Sequence, residues 1–106
     1  MQTGSLEFLT ERLEENDIYI LTEFFKMLGN PTRINILLHL MEQDAYVSAI
    51  AERLGMTQSA VSHQLGLLKG NKLVRRRRDG KMTFYTLTDD HVRMVIKKGM
   101  EHIMGR

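Results

Sequence analysis

The sequence predicts a mainly α-helical single domain carrying one two-stranded β-hairpin, and three observations predict it. Apolar residues recur at spacings of three and four through most of the chain, the period of helices that bury one face. That period breaks after Gly70-Asn71 into two short runs, KLVRRRR and MTFYTL, separated by Asp79-Gly80, a pair that favours a tight hairpin turn. The chain has 106 residues, with no repeat, low-complexity stretch or linker, the size of one small domain.

The elements follow in order. Residues 5–15 and 17–28 are expected to be helical, from Leu6, Leu9 and Leu13 and then from Ile18, Leu21, Phe24, Phe25 and Leu28. Asn30 is suited to cap the next helix and Pro31 to its first position, so a helix is expected over 31–43, burying Ile34, Leu37, Leu38 and Met41. A short helix over 47–54, with Ile50, Ala51 and Leu54 inward, is expected to end at Gly55. Thr57 can cap a helix over 58–69 that Gly70 closes. The hairpin spans about 73–87, and a last helix covers about 89–104.

Short helix, glycine, turn and second helix is the layout of a helix-turn-helix over residues 47–69. On the second helix Val61, Leu65 and Leu68 form the apolar stripe, while Ser59, Ser62, His63 and Gly66 fall on another face. Small residues let such a face enter a major groove. Gln58, Ser59, Ser62, His63 and Gln64 carry groups that hydrogen-bond base edges and phosphates. With the hairpin behind it, the arrangement is a winged helix-turn-helix. Arg75, Arg76, Arg77, Arg78 and Lys81 make the wing basic, and strand alternation sends about half of the arginines to either face. Double-stranded DNA is the expected partner. A charge run of this kind also protects an edge strand from aggregation, and both uses are compatible.

Composition narrows the remaining classes. The net charge is only +2, but its distribution is uneven: the first 17 residues hold five acids against Arg12, and the basic character is concentrated in the wing. No cysteine is present, so disulfides and thiolate chemistry are excluded. No apolar run approaches the roughly 18 residues of a membrane helix, and the N-terminus does not look like a signal peptide, so a cytoplasmic location is expected. There is no Gly-rich phosphate loop, no nucleophile with a base at useful spacing and no pair of buried carboxylates, so neither an enzyme nor a small-molecule substrate is expected.

The last helix holds two of the four histidines, His91 and His102, with Asp89 two residues ahead of the first. Eleven residues is almost three whole turns, so both rings lie on one face, but about 16 Å apart along the axis. A zinc–nitrogen bond is about 2 Å, so one helix cannot bring both rings to one ion. Two antiparallel copies related by a two-fold axis near residues 96–97 would set His91 of one beside His102 of the other, giving two sites. Val92, Val95, Ile96, Gly99 and Ile103 form an apolar seam for that pairing, with Gly99 permitting close approach. Imidazole and carboxylate without thiolate suit zinc, with cobalt or nickel as alternatives. His39 is expected at the edge of the core, and His63 on the DNA face.

The segments LGNPTRINILLHL and IAERLGMTQSAVSHQLGLLKGNKLVRRRRDGKMTFYTL, with the helix after them, resemble the ArsR/SmtB family of metal-sensing bacterial repressors over residues 20–104. The resemblance implies a winged-helix homodimer whose first and last helices (5–28 and 89–104) build the interface, and which leaves its operator when metal binds. It implies Asp89 and His91 from one chain and His102 from the other as ligands in the zinc-sensing branch. That branch has a fourth ligand three residues after the His102 position, which here is Gly105 and has no side chain to give. At the family's thiolate site this chain has Tyr46 and Ser48, so an arsenic-, lead- or cadmium-type site is not expected. The resemblance also implies a hydrogen bond from the metal-bound His102 to the carbonyl of Lys72. The missing fourth ligand leaves an alternative: a metal-independent repressor of the same fold that answers to another signal.

Overall fold

A computed structural model describes residue 11 and residues 13–105. The helix expected over 5–15 lies largely outside them. Within them run α1 (Glu15–Leu28), α2 (Pro31–Glu42), β1 (Ala45–Tyr46), α3 (Val47–Leu54), α4 (Gln58–Gly70), β2 (Val74–Asp79), β3 (Met82–Leu87) and α5 (Asp90–Ile103). The strands form one antiparallel sheet in the order β1-β3-β2. Helix-turn-helix and hairpin wing therefore stand where the sequence places them.

The helix starts are chemical. The Asn30 side chain accepts from the Arg33 N–H at 3.0 Å, that of Thr57 from Ala60 at 3.1 Å, and that of Asp89 from His91 at 2.9 Å. Each satisfies a donor that the first turn leaves without a partner. Helix α1 begins two residues earlier than its apolar period suggests, because Asp17 reaches back to the Glu14 N–H at 3.0 Å. Gly55 ends α3 in the left-handed region at φ 65°, and Met56 N–H returns to the Ala51 carbonyl at 2.9 Å.

Four details depart from the sequence reading. Gly70 is the last residue of α4, and the left-handed residue after it is Lys72, at φ 63°; Leu73 N–H closes the turn on the Leu68 carbonyl at 2.9 Å. A side chain in that region is strained by about 1–2 kcal/mol, which the turn must offset. In the hairpin, Asp79 pairs with Met82, so the two loop residues are Gly80 and Lys81 rather than Asp79 and Gly80. Only Gly80 has positive φ, as a type II′ turn requires. Strand β1 was not expected; two residues are too few to show an alternating pattern. In α2 the fully buried residues are Ile36, Leu37 and Leu40, whereas Ile34, Leu38 and Met41 are half-buried. This helix has apolar neighbours on more than one side, and a single-stripe reading finds only one of them.

One core joins α2, α3, α4, the sheet and α5. Ile50 of α3 and Val61, Leu65 and Leu68 of α4 have no exposed surface, so the two helices are locked to each other and to α2. Burial of side chains of this size stabilises by about 1.5–3 kcal/mol each. Tyr46 ties the wing to the core side: its hydroxyl donates to Asp79 at 3.3 Å and its ring meets Phe84 edge-on at 5.7 Å.

Candidate DNA-reading surface and metal-ligand positions

The stripe that buries Val61, Leu65 and Leu68 fixes what α4 shows to solvent. Gln58, Ser59, Ser62 and His63 are exposed, in a row beginning at the helix N-terminus. That end also carries the positive pole of the helix dipole, favourable toward phosphate. Gly66 continues the exposed face, and a Cβ there would meet nothing within 4 Å. No contact among the described residues requires glycine at this point, while a helix interior disfavours it by about 1 kcal/mol. Gln64 differs from the others. It is half-buried, and its side-chain oxygen accepts from Arg33 at 3.3 Å.

All four wing arginines are exposed, and their strand register divides them. Arg75 and Arg77 share one face. Arg75 donates to the Thr88 carbonyl at 2.8 Å, and the Arg77 guanidinium lies 5.5 Å from the centre of the Phe84 ring. Arg76 and Arg78 lie on the other face, and among the described residues their side chains make no hydrogen bond or ion pair. Lys81 is exposed at the hairpin tip.

Asp89 and His91 are brought together at the start of α5. One Asp89 oxygen caps the helix; the other lies 3.4 Å from His91 Nδ1, and the imidazole is 87% exposed. Burial pushes the Asp89 carboxyl up, but hydrogen bonds from the His91 ring and from the His91 and Val92 N–H groups outweigh it and hold the carboxyl below its ordinary value. The Asp89 carboxylate and the His91 imidazole thus form a solvent-facing oxygen and nitrogen donor pair of the type a divalent cation takes. His102 is exposed in the last turn of the same helix, about 16 Å away along the axis. Among the described residues no three His, Cys, Asp or Glu side chains converge on one point within a single chain. His39 is buried, not merely at the core edge: Arg53 approaches its Nδ1 at 3.4 Å and also holds Glu42 through two hydrogen bonds of 3.2 Å.

The two terminal helices present a different surface. None of the residues of α1 is buried, and Tyr19, Ile20 and Phe25 are each more than half exposed. On α5, Met94 and Ile103 are 55% and 81% exposed. Between α1, α2 and α5 lies an apolar groove of about 540 Å³, lined by Phe25, Ile34, Leu38, Val95, Gly99 and Ile103 among others. Isolated apolar residues on a surface need no explanation, but a continuous groove of this kind marks an interaction site. A Cβ on Gly99 would meet nothing within 4 Å, so here too the single chain does not require glycine.

Comparison with known proteins identifies the family and the fold. Residues 30–76 match the family described as bacterial regulatory protein, arsR family. The transcriptional repressor SmtB homolog of Synechocystis sp. is 35% identical over 83 residues, a match covering 78% of this chain and 63% of that protein. This chain thus spans less than two thirds of that relative's length. The crystal structure of Rv0081 from Mycobacterium tuberculosis superposes with a TM-score of 0.79 at 30% identity, covering 86% of this chain and 92% of that one. The homodimeric winged helix-turn-helix DNA-binding domain of Mb0332 from Mycobacterium bovis, a possible ArsR-family transcriptional regulator, superposes with a TM-score of 0.74 at 27% identity, covering 90% and 94%.

Proposed function

Since the chain belongs to the ArsR family of bacterial regulatory proteins, we propose that it is a DNA-binding transcriptional repressor. It acts as a homodimer and leaves its operator when a divalent metal, zinc first, binds between the last helices of the two copies. The observation that carries the DNA half is the pairing of an exposed, small and polar face on α4 with a basic wing. Gln58, Ser59, Ser62 and His63 address base edges and the nearest phosphates. Arg76, Arg78 and Lys81, on the outer part of the wing, address the flanking phosphate backbone.

The dimer half rests on the apolar groove and on the exposed side chains of α1 and α5. A second copy laid against them buries surface that a chain of this size cannot otherwise remove from water. A two-fold dimer presents two recognition helices to successive turns of one duplex, about 34 Å apart.

For metal, the donors are Asp89 and His91 of one copy and His102 of the other. Zinc, when bound, supplies a cross-link between the two last helices. Asp89 both caps α5 and orients the His91 ring, so the ligand pair is set before any ion arrives. The backbone carbonyl of Lys72, the left-handed residue two positions after the end of the recognition helix, is the acceptor proposed for the second ring nitrogen of His102. A coupling of about 1–3 kcal/mol between the two sites would lower operator affinity about 5- to 150-fold.

Gly105, where a fourth ligand would stand, favours a second reading: a repressor of the same fold that does not respond to metal. A zinc titration of the DNA-bound protein, read by fluorescence anisotropy, separates the two. Under the metal reading zinc releases wild-type protein while the His91→Ala and His102→Gln variants stay bound. Retention of the wild type on DNA at saturating zinc would support the second reading.

A further inference from the structure

Arg33 makes three side-chain hydrogen bonds to two different helices. Its Nε donates to the Met27 carbonyl at 2.9 Å and its Nη2 to the Lys26 carbonyl at 3.2 Å. Both carbonyls belong to the last turn of α1, where a cation is favoured; that of Lys26 also accepts from the Gly29 N–H at 3.1 Å. The remaining terminal nitrogen, Nη1, donates to Gln64 of the recognition helix at 3.3 Å. Arg33 itself stands in the first turn of α2, its backbone N–H held by the Asn30 cap at 3.0 Å. Because a guanidinium is planar and only donates, the Gln64 atom facing it must be the amide oxygen. The three bonds radiate from one rigid fork. A rotation of α1 that carried its last carbonyls along would therefore pull on α4 through a group with no internal hinge between the donors.

We infer that Arg33 and Gln64 form a strut that sets the seating of the recognition helix against the first dimer helix, making Gln64 a positioning residue and not a base reader. This rests on the DNA-binding reading given above. Gln64 is half-buried while its neighbours Ser62 and His63 are exposed. The strut joins the C-terminal end of α1, the helix whose uncovered apolar face is assigned to the second copy, to the middle of the helix assigned to DNA. It links the two surfaces without involving α5 or the proposed metal ligands, so it affects operator affinity whether or not a metal is bound.

The test uses full-length protein and a duplex enriched from a random-sequence library on the wild-type protein. Failure to enrich any duplex above non-specific binding would reject the DNA reading itself. With such a duplex, Gln64→Leu is expected to weaken binding about tenfold, the size of one hydrogen bond to a charged group. Arg33→Met weakens it at least as much, and the double variant is no worse than Arg33→Met alone, since both remove one contact. The decisive variant is Gln64→Glu. A carboxylate keeps the acceptor that Arg33 needs, so affinity stays within about threefold of wild type; against DNA phosphates the same charge would be repelled. Loss of binding by Gln64→Glu, or additive losses in the double variant, would overturn the inference. Arg33→Met also leaves the Met27 carbonyl without its donor, while that of Lys26 keeps the Gly29 N–H at 3.1 Å, and can destabilise the fold, but Gln64→Leu and Gln64→Glu decide the matter without it.

Discussion

Helix α4 and helix α1 are nearly equal in length, yet α4 buries Val61, Leu65 and Leu68 completely, whereas α1 buries no residue fully and only Phe24, Met27 and Leu28 pack partly against the core. The recognition helix is finished within one chain: its apolar stripe has partners, and the face left over is small and polar. The first helix is unfinished, with an apolar face open to solvent beside the outer part of the α5 seam, Val95, Gly99 and Ile103; Val92 and Ile96, expected in that seam, are buried in the chain's own core instead. The difference separates what one copy does alone, which is to hold the recognition helix in place, from what the proposed dimer adds, which is to cover that apolar surface and to complete the proposed metal site.

The contrast breaks first at the core. Leu65→Ala is expected to lower unfolding stability by about 3 kcal/mol, because the site is fully enclosed and cannot collapse around the cavity. Chemical denaturation checks it, and a loss under about 1 kcal/mol would mean that α4 is not anchored as described. Next comes Phe25→Glu in the α1 groove. Phe25 is 53% exposed in the single chain, so the fold should survive, with a far-ultraviolet circular dichroism spectrum like that of wild type. Sedimentation should show monomers, and operator affinity should fall about 100-fold as two linked half-site contacts become one. A dimer that persists with Glu at this position would place the interface elsewhere.

The third expectation sharpens the comparison inside the reading head. Arg76→Ala and Arg78→Ala should each reduce the slope of log affinity against log salt by about 2, one phosphate contact in each copy of the dimer. Arg75→Ala should alter it less, because that side chain is engaged with the Thr88 carbonyl. The smallest effect is at the start of α5. The Asp89 carboxyl is held below its ordinary value in the folded chain. Its stabilising contribution is therefore complete above the ordinary carboxylate range and is lost as pH falls through the folded value. Asp89→Asn keeps a capping oxygen, so it should remove this acid-side decline in melting temperature without unfolding α5, while weakening metal binding.

Much of this was legible in the sequence, for reasons tied to particular residues. Asn30 and Thr57 reveal their helix starts because a cap is a local bond between near neighbours; Asp89, expected as the first residue of the last helix, is its cap instead. Val61, Leu65 and Leu68 reveal the buried face of α4 because the helix has a single core side. Local patterns fail where contacts are distant or many-sided. Strand β1 exists only because Ala45 and Tyr46 pair with Tyr85 and Phe84. The position of Gln64 depends on Arg33, 31 residues away, and nothing in QSAVSHQLG separates that glutamine from the exposed Gln58. Lys72 in the left-handed region was hidden for another reason: the glycine two residues earlier was the more obvious stop. The proposed ligand positions Asp89, His91 and His102 come from their spacing and from the family resemblance, and the chain brings the first two together at 3.4 Å.

A mixed dimer tests most directly whether two copies share the metal site. His91→Ala and His102→Ala homodimers each lack one proposed ligand in both sites. A dimer with one chain of each kind regains one complete site, built from Asp89 and His91 of the His102→Ala chain and His102 of the other. Cobalt titration read in the visible spectrum should show weak or no binding for either homodimer and one tightly bound ion per mixed dimer. Equal binding by both homodimers, or none by the mixed dimer under conditions where wild type binds two, would contradict the account.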